Sequence, residues 1–238
     1  MNNCAVWLFG RGLSIACNLT WTVPHSWLWI PRWCRVALIK RRIRSEMNRP
    51  IIRPRIIQAY LQTIQNRTQP GWRHLFVTTN WDYLLQKEIE ALHLTVQPPW
   101  MANSHVFHVN GTVEVLANNT KRSPFLLEQD QAAQRHFTPE ASMAYGYMIW
   151  QRTFIVVGMS FECETDRFLL SALNRVEDDL PIGESTWFLV NSHPQALATS
   201  SARISTALPH ARVIPLATTF EAWLNNNCAE LRAHGVLN

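Results

Sequence analysis

The sequence predicts an α/β fold with a Rossmann-like parallel sheet and helices on both of its faces. Short apolar runs of strand length alternate with helical patterns along the chain. Two of these runs, residues 5–9 and 153–157, are apolar apart from Thr153, as expected of strands that are buried on both faces. Glycine or polar residues follow the strand runs, which is where an open parallel sheet turns into its helices.

The first part of the chain contains two predicted strands and four helical patterns. In chain order we expect a strand at 5–9, a helix beginning at Ser14, an irregular Trp- and Pro-rich stretch at 20–33, helices at about 34–48 and 54–66, a strand at 74–78 and a helix through Ala91.

The second part continues the alternation on both sides of a polar connection over residues 112–150. In chain order we expect short strands at 93–96 and 106–109, a helix near 138–150, a strand at 153–157, a helix at about 165–178, a strand at 186–190, a helix near 194–207, a strand at 212–216 and a final helix near 219–234.

Composition limits the class of protein. The chain has 238 residues, of which 47% are hydrophobic and 16% charged, so we expect one globular domain over residues 1–238. It has no run of eighteen apolar residues, so no membrane span or membrane partner is predicted. The five cysteines form no CxxC pair, which excludes a four-cysteine zinc module and favours free thiols. No basic segment precedes the first apolar stretch, so we expect no signal peptide and a cytoplasmic location.

Positive charge is concentrated in one segment. The chain has 22 basic and 17 acidic residues, and residues 32–55 hold nine of the basic ones and a single acid, Glu46. That segment carries +8, and the rest of the chain, with 13 basic and 16 acidic residues, carries −3. The segment is either a patch for nucleic acid or another acidic partner, or a solvated helix face above an apolar stripe. The stripe would consist of Val36, Leu38, Ile39, Ile43 and Met47.

Polar residues that follow the strands predict a ligand site at the carboxyl edge of the sheet. They are Gly10, Gly12, Ser14, Asn80, Asp82, Asn110, Gly111, Gly158, Ser160 and Asn191. The turn at Gly10 and Gly12 is half of a dinucleotide fingerprint, with Ile15 in place of the third glycine. Such a turn either approaches a pyrophosphate or serves close packing between a strand and a helix. The turn at Gly158 leaves the same two alternatives open.

Four polar positions near this edge are candidates for chemistry. Asn80 and Asp82 could hold a ribose, or one of them could cap the following helix. His108 and Asn110 lie two residues apart on one predicted strand and so share a face. Acids near position 164 are expected to cap a helix, and we assign no metal.

These blocks, in this order, resemble the sirtuin-type NAD-binding fold. The blocks are Gly10-Arg11-Gly12-Leu13-Ser14 after a strand, Thr78-Thr79-Asn80-Trp81-Asp82, a histidine-glycine turn from His108 to Gly111, Val156-Val157-Gly158-Met159-Ser160, and Val190-Asn191. More particularly, the chain resembles bacterial sirtuin-like domains that serve as NAD-consuming effectors in anti-phage defence. The resemblance runs from Val6 to about Leu224.

The resemblance implies NAD as the bound substrate and a role for each motif. Gly10, Gly12 and Ser14 would cradle the pyrophosphate, and Asn80 would contact the nicotinamide ribose and position water, with Asp82 nearby. The other implied NAD contacts are Thr79, Gly111, Gly158, Ser160 and Asn191. The helical and basic insertion at 20–72 would supply a helical lid over about residues 20–70.

The sequence departs from the family at three places. Arg11 stands between the two glycines, where it would meet phosphate or face solvent. Asn18-Leu19-Thr20-Trp21 replaces the Asp-Phe-Arg element of deacylating sirtuins, which argues against deacylation. Asn110 occupies the position of the catalytic histidine, and an amide cannot act as a general base. His108, two residues earlier, is the candidate substitute.

Four functions follow, in order of preference. The first is an NAD glycohydrolase that uses Asn80 and His108, forms a homo-oligomer and is controlled by an activating protein partner. The second, favoured by Asn110, is a regulatory module that binds NAD or ADP-ribose without cleaving it. The third is a nucleic-acid-associated protein that acts through residues 32–55, and the last is a protein deacylase.

Overall fold

One sheet of six parallel strands organises the protein. The computed structural model describes residues 3–17, 19, 24–50, 52, 54–91, 106–109, 146–162, 166, 167, 169–171, 173, 174 and 184–238. The strands are β1 (Asn3–Phe9), β2 (Trp72–Thr78), β3 (Phe107–His108), β4 (Thr153–Val157), β5 (Thr186–Val190) and β6 (Arg212–Leu216). They lie in the order β3-β2-β1-β4-β5-β6, and every pairing is parallel. This is the doubly wound Rossmann-like order, so the predicted α/β class is confirmed.

Helices connect these strands. They are α1 (Arg11–Ala16), a 3-10 helix (His25–Trp29), α2 (Arg32–Met47), α3 (Arg55–Arg67), α4 (Leu84–Ala91), α5 (Pro194–Ala207), α6 (Phe220–Asn225) and α7 (Ala229–Ala233). Residues 146–148 and the described residues of 166–174 are also helical. No helix in the described ranges is both long and apolar enough to cross a membrane.

Most predicted elements are confirmed, and two boundaries are corrected. The first helix begins at Arg11 instead of Ser14, because the chain turns directly after Gly10. The predicted final helix is two short helices, since Asn227 and Cys228 adopt left-handed backbone conformations with φ of 56° and 47°. The predicted strand at 93–96 lies outside the described residues.

Alternate residues of the strands face two separate apolar cores. On one face, Trp7 and Phe9 of β1 pack with Tyr60 of α3 and Phe220 of α6. On the other face, Cys4, Val6 and Leu8 of β1 pack with residues of α5 such as Ile204. Because both faces of the sheet are covered, its carboxyl edge is where a ligand can reach the strand ends.

The basic segment contains the apolar stripe that its sequence suggested. Ile39, Ile43 and Met47 of α2 are buried in the core. The single acid of the segment, Glu46, is also buried, and Arg42 and Arg49 pair with its carboxylate at 2.9 and 2.8 Å. One face of α2 is therefore structural, and many of its basic residues lie on the opposite side.

Candidate functional site

Two glycine turns meet at the point where the strand order reverses, between β1 and β4. The amide of Gly10 donates to the carbonyl of Val157, and the amide of Gly12 donates to the carbonyl of Gly158, each at 3.0 Å. A Cβ added to Gly12 would lie 2.6 Å from the Cα of Gly158. No side chain fits between the turns, so close packing explains why both carry glycine.

This packing bears on one of the alternatives left open by the sequence. The amides of Gly10 and Gly12 both donate to carbonyl oxygens of the protein. The structure therefore supports the packing explanation for Gly10 and Gly12, and their contact with phosphate stays a prediction.

A chain of hydrogen bonds joins the ends of β1 and β2. The side-chain amide of Asn80 donates to the Gly10 carbonyl at 3.0 Å and to the Ser14 hydroxyl at 2.9 Å. The Ser14 hydroxyl donates in turn to Oδ2 of Asp82 at 2.6 Å. Parallel strands bring these residues together although 66 to 70 positions separate them in the chain.

Asp82 serves both of the purposes considered for it. Its Oδ1 accepts a hydrogen bond from the Leu84 amide at the start of α4, at 3.3 Å, as a capping residue does. Its other oxygen ends the chain from Asn80 through Ser14. Burial raises the pKa of Asp82, and the hydrogen bonds from Ser14 and Leu84 oppose that rise. The carboxylate therefore acts on the site through Ser14.

The geometry fixes which atom of Asn80 can act on a ligand. Both hydrogens of its side-chain amide point to protein oxygens, at Gly10 and Ser14. Its backbone amide is also engaged, since it donates to the Thr78 hydroxyl at 3.1 Å. Among the described residues no group donates to Oδ1, which can therefore accept from a hydroxyl or a water molecule.

His108 lies beside Asn80 at the end of β3. Its Nδ1 is 3.4 Å from the backbone carbonyl oxygen of Asn80, and its Nε2 is 3.1 Å from Oε1 of Gln86. The Gln86 side chain donates to Glu90 at 2.8 Å, which leaves its oxygen facing the imidazole. Both ring nitrogens thus face acceptors, and a neutral imidazole can donate to only one of them.

Burial also controls the charge of His108. It lowers the pKa of His108 from 6.5 to about 4, although the hydrogen bond to Asn80 opposes the change. The imidazole is therefore neutral at pH 7. Burial has the same effect on His74 of β2, whose pKa is also lowered to about 4.

These two histidines predict a loss of stability in mild acid. The unfolded chain binds protons near pH 6.5 and the folded chain only near pH 4, so stability falls as pH drops through that interval. Between pH 7 and pH 5 each histidine should remove roughly 2 kcal/mol from the free energy of unfolding. Urea unfolding of His74→Gln and His108→Gln at both pH values would measure each contribution. Each variant should lose less free energy of unfolding between pH 7 and pH 5 than the wild type does. The same substitution at exposed His210 is the control, and equal pH differences in all variants would contradict the prediction.

The other predicted contacts lie along the same edge, and several have structural partners. The Thr79 amide donates to Phe9, and Asn191 Oδ1 accepts from the His193 amide at the start of α5. The Ser160 carbonyl accepts from Arg203 of α5 at 3.0 Å. Arg11 is exposed at the first position of α1. These contacts hold the turns after β4 and β5 in place.

Two buried polar residues of the site region were not predicted from the sequence. Gln86 orients His108, and Glu88 accepts a hydrogen bond from Gln58 of α3 at 2.7 Å. Both α4 side chains are buried, at 1% and 8% exposure. The sequence did contain a signal for Gln86 and Glu88: both are polar residues on the inward face of the helix that directly follows the Asn80 turn.

Several predictions fall outside the described residues. Asn110 and Gly111 are among them, so the position of the missing family histidine is not tested. In the described ranges, no three His, Cys, Asp or Glu side chains gather into a group that could hold a metal ion.

Several solved structures match this chain, and one of them matches most of its length. It comes from work on the structural basis for the mechanism and regulation of Sir2 enzymes, and it matches with a TM-score of 0.50 and 12% identity. The match covers 98% of this chain and 94% of that chain. No protein-family model and no curated protein matches the sequence. The protein therefore has a sirtuin-like, Rossmann-like α/β fold.

Proposed function

We propose that this protein is an NAD glycohydrolase that cleaves NAD to nicotinamide and ADP-ribose. The observation that carries the proposal is the hydrogen-bonded chain from Asn80 through Ser14 to Asp82, at the carboxyl edge of the sheet. The match to a structure from work on Sir2 enzymes supports placing a nucleotide at this edge. NAD is the substrate, and no metal is assigned a role.

Asn80 is the residue that would act most directly on the substrate. Breaking the bond between nicotinamide and ribose develops positive charge on the sugar, as in glycoside hydrolysis. The free Oδ1 of Asn80 can accept a hydrogen bond from a ribose hydroxyl or from the attacking water. The oxygen of that water bonds to the ribose carbon, nicotinamide leaves with the bonding electrons, and one proton is released.

Ser14 and Asp82 would hold Asn80 in its active orientation. Since the Ser14 hydroxyl donates to Asp82, its oxygen is oriented to accept from the Asn80 amide. A side chain fixed in this way needs little rearrangement during the reaction, and this lowers the barrier. The negative charge of Asp82 would also stabilise the positive charge that develops on the ribose.

His108 is the proposed general base, and its surroundings define what that role requires. It is neutral at pH 7, as a base must be. Both of its nitrogens face protein oxygens, so one of the contacts with Asn80 or Gln86 must open before it can accept a proton from water.

That requirement favours a second candidate function, a regulatory module that binds NAD or ADP-ribose without efficient cleavage. In this case Asn80 would bind the ribose and His108 would serve only to hold the Asn80 backbone. The two functions share one pocket and differ in turnover.

Nicotinamide release by the purified chain, resolved by chromatography, separates the two functions. The hydrolase predicts release that is lost in His108→Ala, whereas release that survives in this variant would exclude His108 as the base. The binding module predicts a higher melting temperature with NAD and no release. Neither release nor thermal stabilisation by NAD or ADP-ribose would overturn both proposals.

We further propose a cytoplasmic, homo-oligomeric effector of anti-phage defence, with the insertion at 20–72 as a helical lid. The support is the order of motifs along the chain. An NAD-consuming activity is toxic, so an activating protein partner would keep it in check until infection. Depletion of cellular NAD after phage infection, absent in a strain carrying Asn80→Ala, would test this role.

A further inference from the structure

Two tryptophans are exposed at the start of the basic segment. Trp29, in the 3-10 helix, is 90% exposed, and Trp33, in the first turn of α2, is 75% exposed. Leaving such large apolar rings in water is costly, and aromatic residues at a surface commonly mark a binding site.

Basic residues continue the surface that Trp33 begins. Trp33, Arg41 and Arg44 are exposed and lie at spacings that place them on one side of α2. From Trp33 to Arg44 this side extends roughly 16 Å along the helix. The segment's one acid, Glu46, is buried and forms its ion pairs with Arg42 and Arg49. We call the surface formed by Trp29, Trp33, Arg41 and Arg44 the Trp-Arg face.

The composition of the Trp-Arg face selects one kind of partner. A helix that inserts into a membrane presents a broad apolar face, but the large aliphatic residues Ile39 and Ile43 of α2 are buried in the core. Flat aromatic rings beside arginines are instead suited to stacked bases and phosphates. We propose that the Trp-Arg face binds single-stranded nucleic acid.

This binding does not rest on the proposed NAD activity. Its residues are separate from Ser14, Asn80 and Asp82, so either proposal can fail without the other. Bases would stack on Trp29 and Trp33, and the backbone phosphates would contact Arg41 and Arg44.

Fluorescence anisotropy with a labelled, mixed-sequence 20-nucleotide single strand tests the proposal with the full chain. We expect binding at low salt that weakens as salt rises, with a slope of about −0.7 for each phosphate contacted. Trp29→Ala/Trp33→Ala should weaken binding about tenfold to a hundredfold with little change in that slope. Arg41→Glu/Arg44→Glu should weaken binding and also reduce the steepness of the slope by about 1.4.

Matched controls separate the Trp-Arg face from general charge and exposed aromatic surface. Arg152→Glu/Arg212→Glu changes the net charge equally at two other exposed arginines, and Trp150→Ala removes a tryptophan that is 59% exposed. These controls should bind like the wild type.

Three results would overturn the proposal. The first is no binding by the wild type at low salt, and the second is equal loss in the Trp-Arg variants and the controls. The third is binding to vesicles of phosphatidylserine and phosphatidylcholine, but not to the oligonucleotide, because it would make the face a membrane contact.

Discussion

Replacing Asn80 with alanine is expected to lower nicotinamide release from NAD by about 100-fold or more. Alanine removes the side-chain oxygen that is proposed to contact the ribose or the attacking water. The Ser14 hydroxyl also loses a donor, although its bond to Asp82 remains. The measurement is the rate of release, together with the affinity of the variant for NAD.

Two control variants make the Asn80 result specific. Asn225→Ala removes an exposed amide at the end of α6, a residue with no assigned contact to NAD, and it should keep the wild-type activity. Ser14→Ala leaves the Asn80 oxygen present but less well held, so its loss should be smaller than that of Asn80→Ala. A folded Asn80→Ala protein with wild-type turnover would contradict the proposed role.

The sequence was sufficient to predict the sheet, because its central strands are apolar in continuous runs. Residues 153–157 and 186–190 read as buried strands and are observed as β4 and β5 at those bounds. The final helix was predicted too long, since its break at Asn227 and Cys228 depends on left-handed backbone conformations. Neither residue is a glycine, and the local signal was the run Asn225-Asn226-Asn227, because asparagine adopts this conformation more readily than most residues.

Part of the site could also be predicted from the sequence, and the reason is the topology of the sheet. The topology of parallel strands placed Ser14, Asn80 and Asp82 at one edge without any knowledge of their contacts. The pairing of Gly12 with Gly158 could not be predicted, because it depends on how closely two turns approach across 146 positions of sequence. Gln86 was missed because a glutamine in a helix usually faces solvent.

Replacing Gly158 with alanine is expected to destabilise the protein by about 3–5 kcal/mol, from two costs that add. Its backbone has a φ of +62°, which residues with a Cβ rarely adopt. The new Cβ would also lie 2.5 Å from the Cα of Gly12, and backbone atoms cannot move aside as a flexible side chain would. Urea unfolding would measure the loss.

Gly71→Ala separates the two costs. Gly71 has a similar φ of +88°, but nothing lies within 4 Å of its added Cβ, so this variant should lose only about 1 kcal/mol. If the two variants lose the same free energy of unfolding, the close contact between the turns contributes nothing.

If Gly158→Ala loses more stability, the contact is the reason, and relieving it must displace Gly12. Because Gly12 and Ser14 belong to the same short helix, the displacement would also pull the Ser14 hydroxyl away from Asn80 and Asp82. The remaining folded Gly158→Ala protein should therefore release nicotinamide more slowly, whereas Gly71→Ala should retain the wild-type rate.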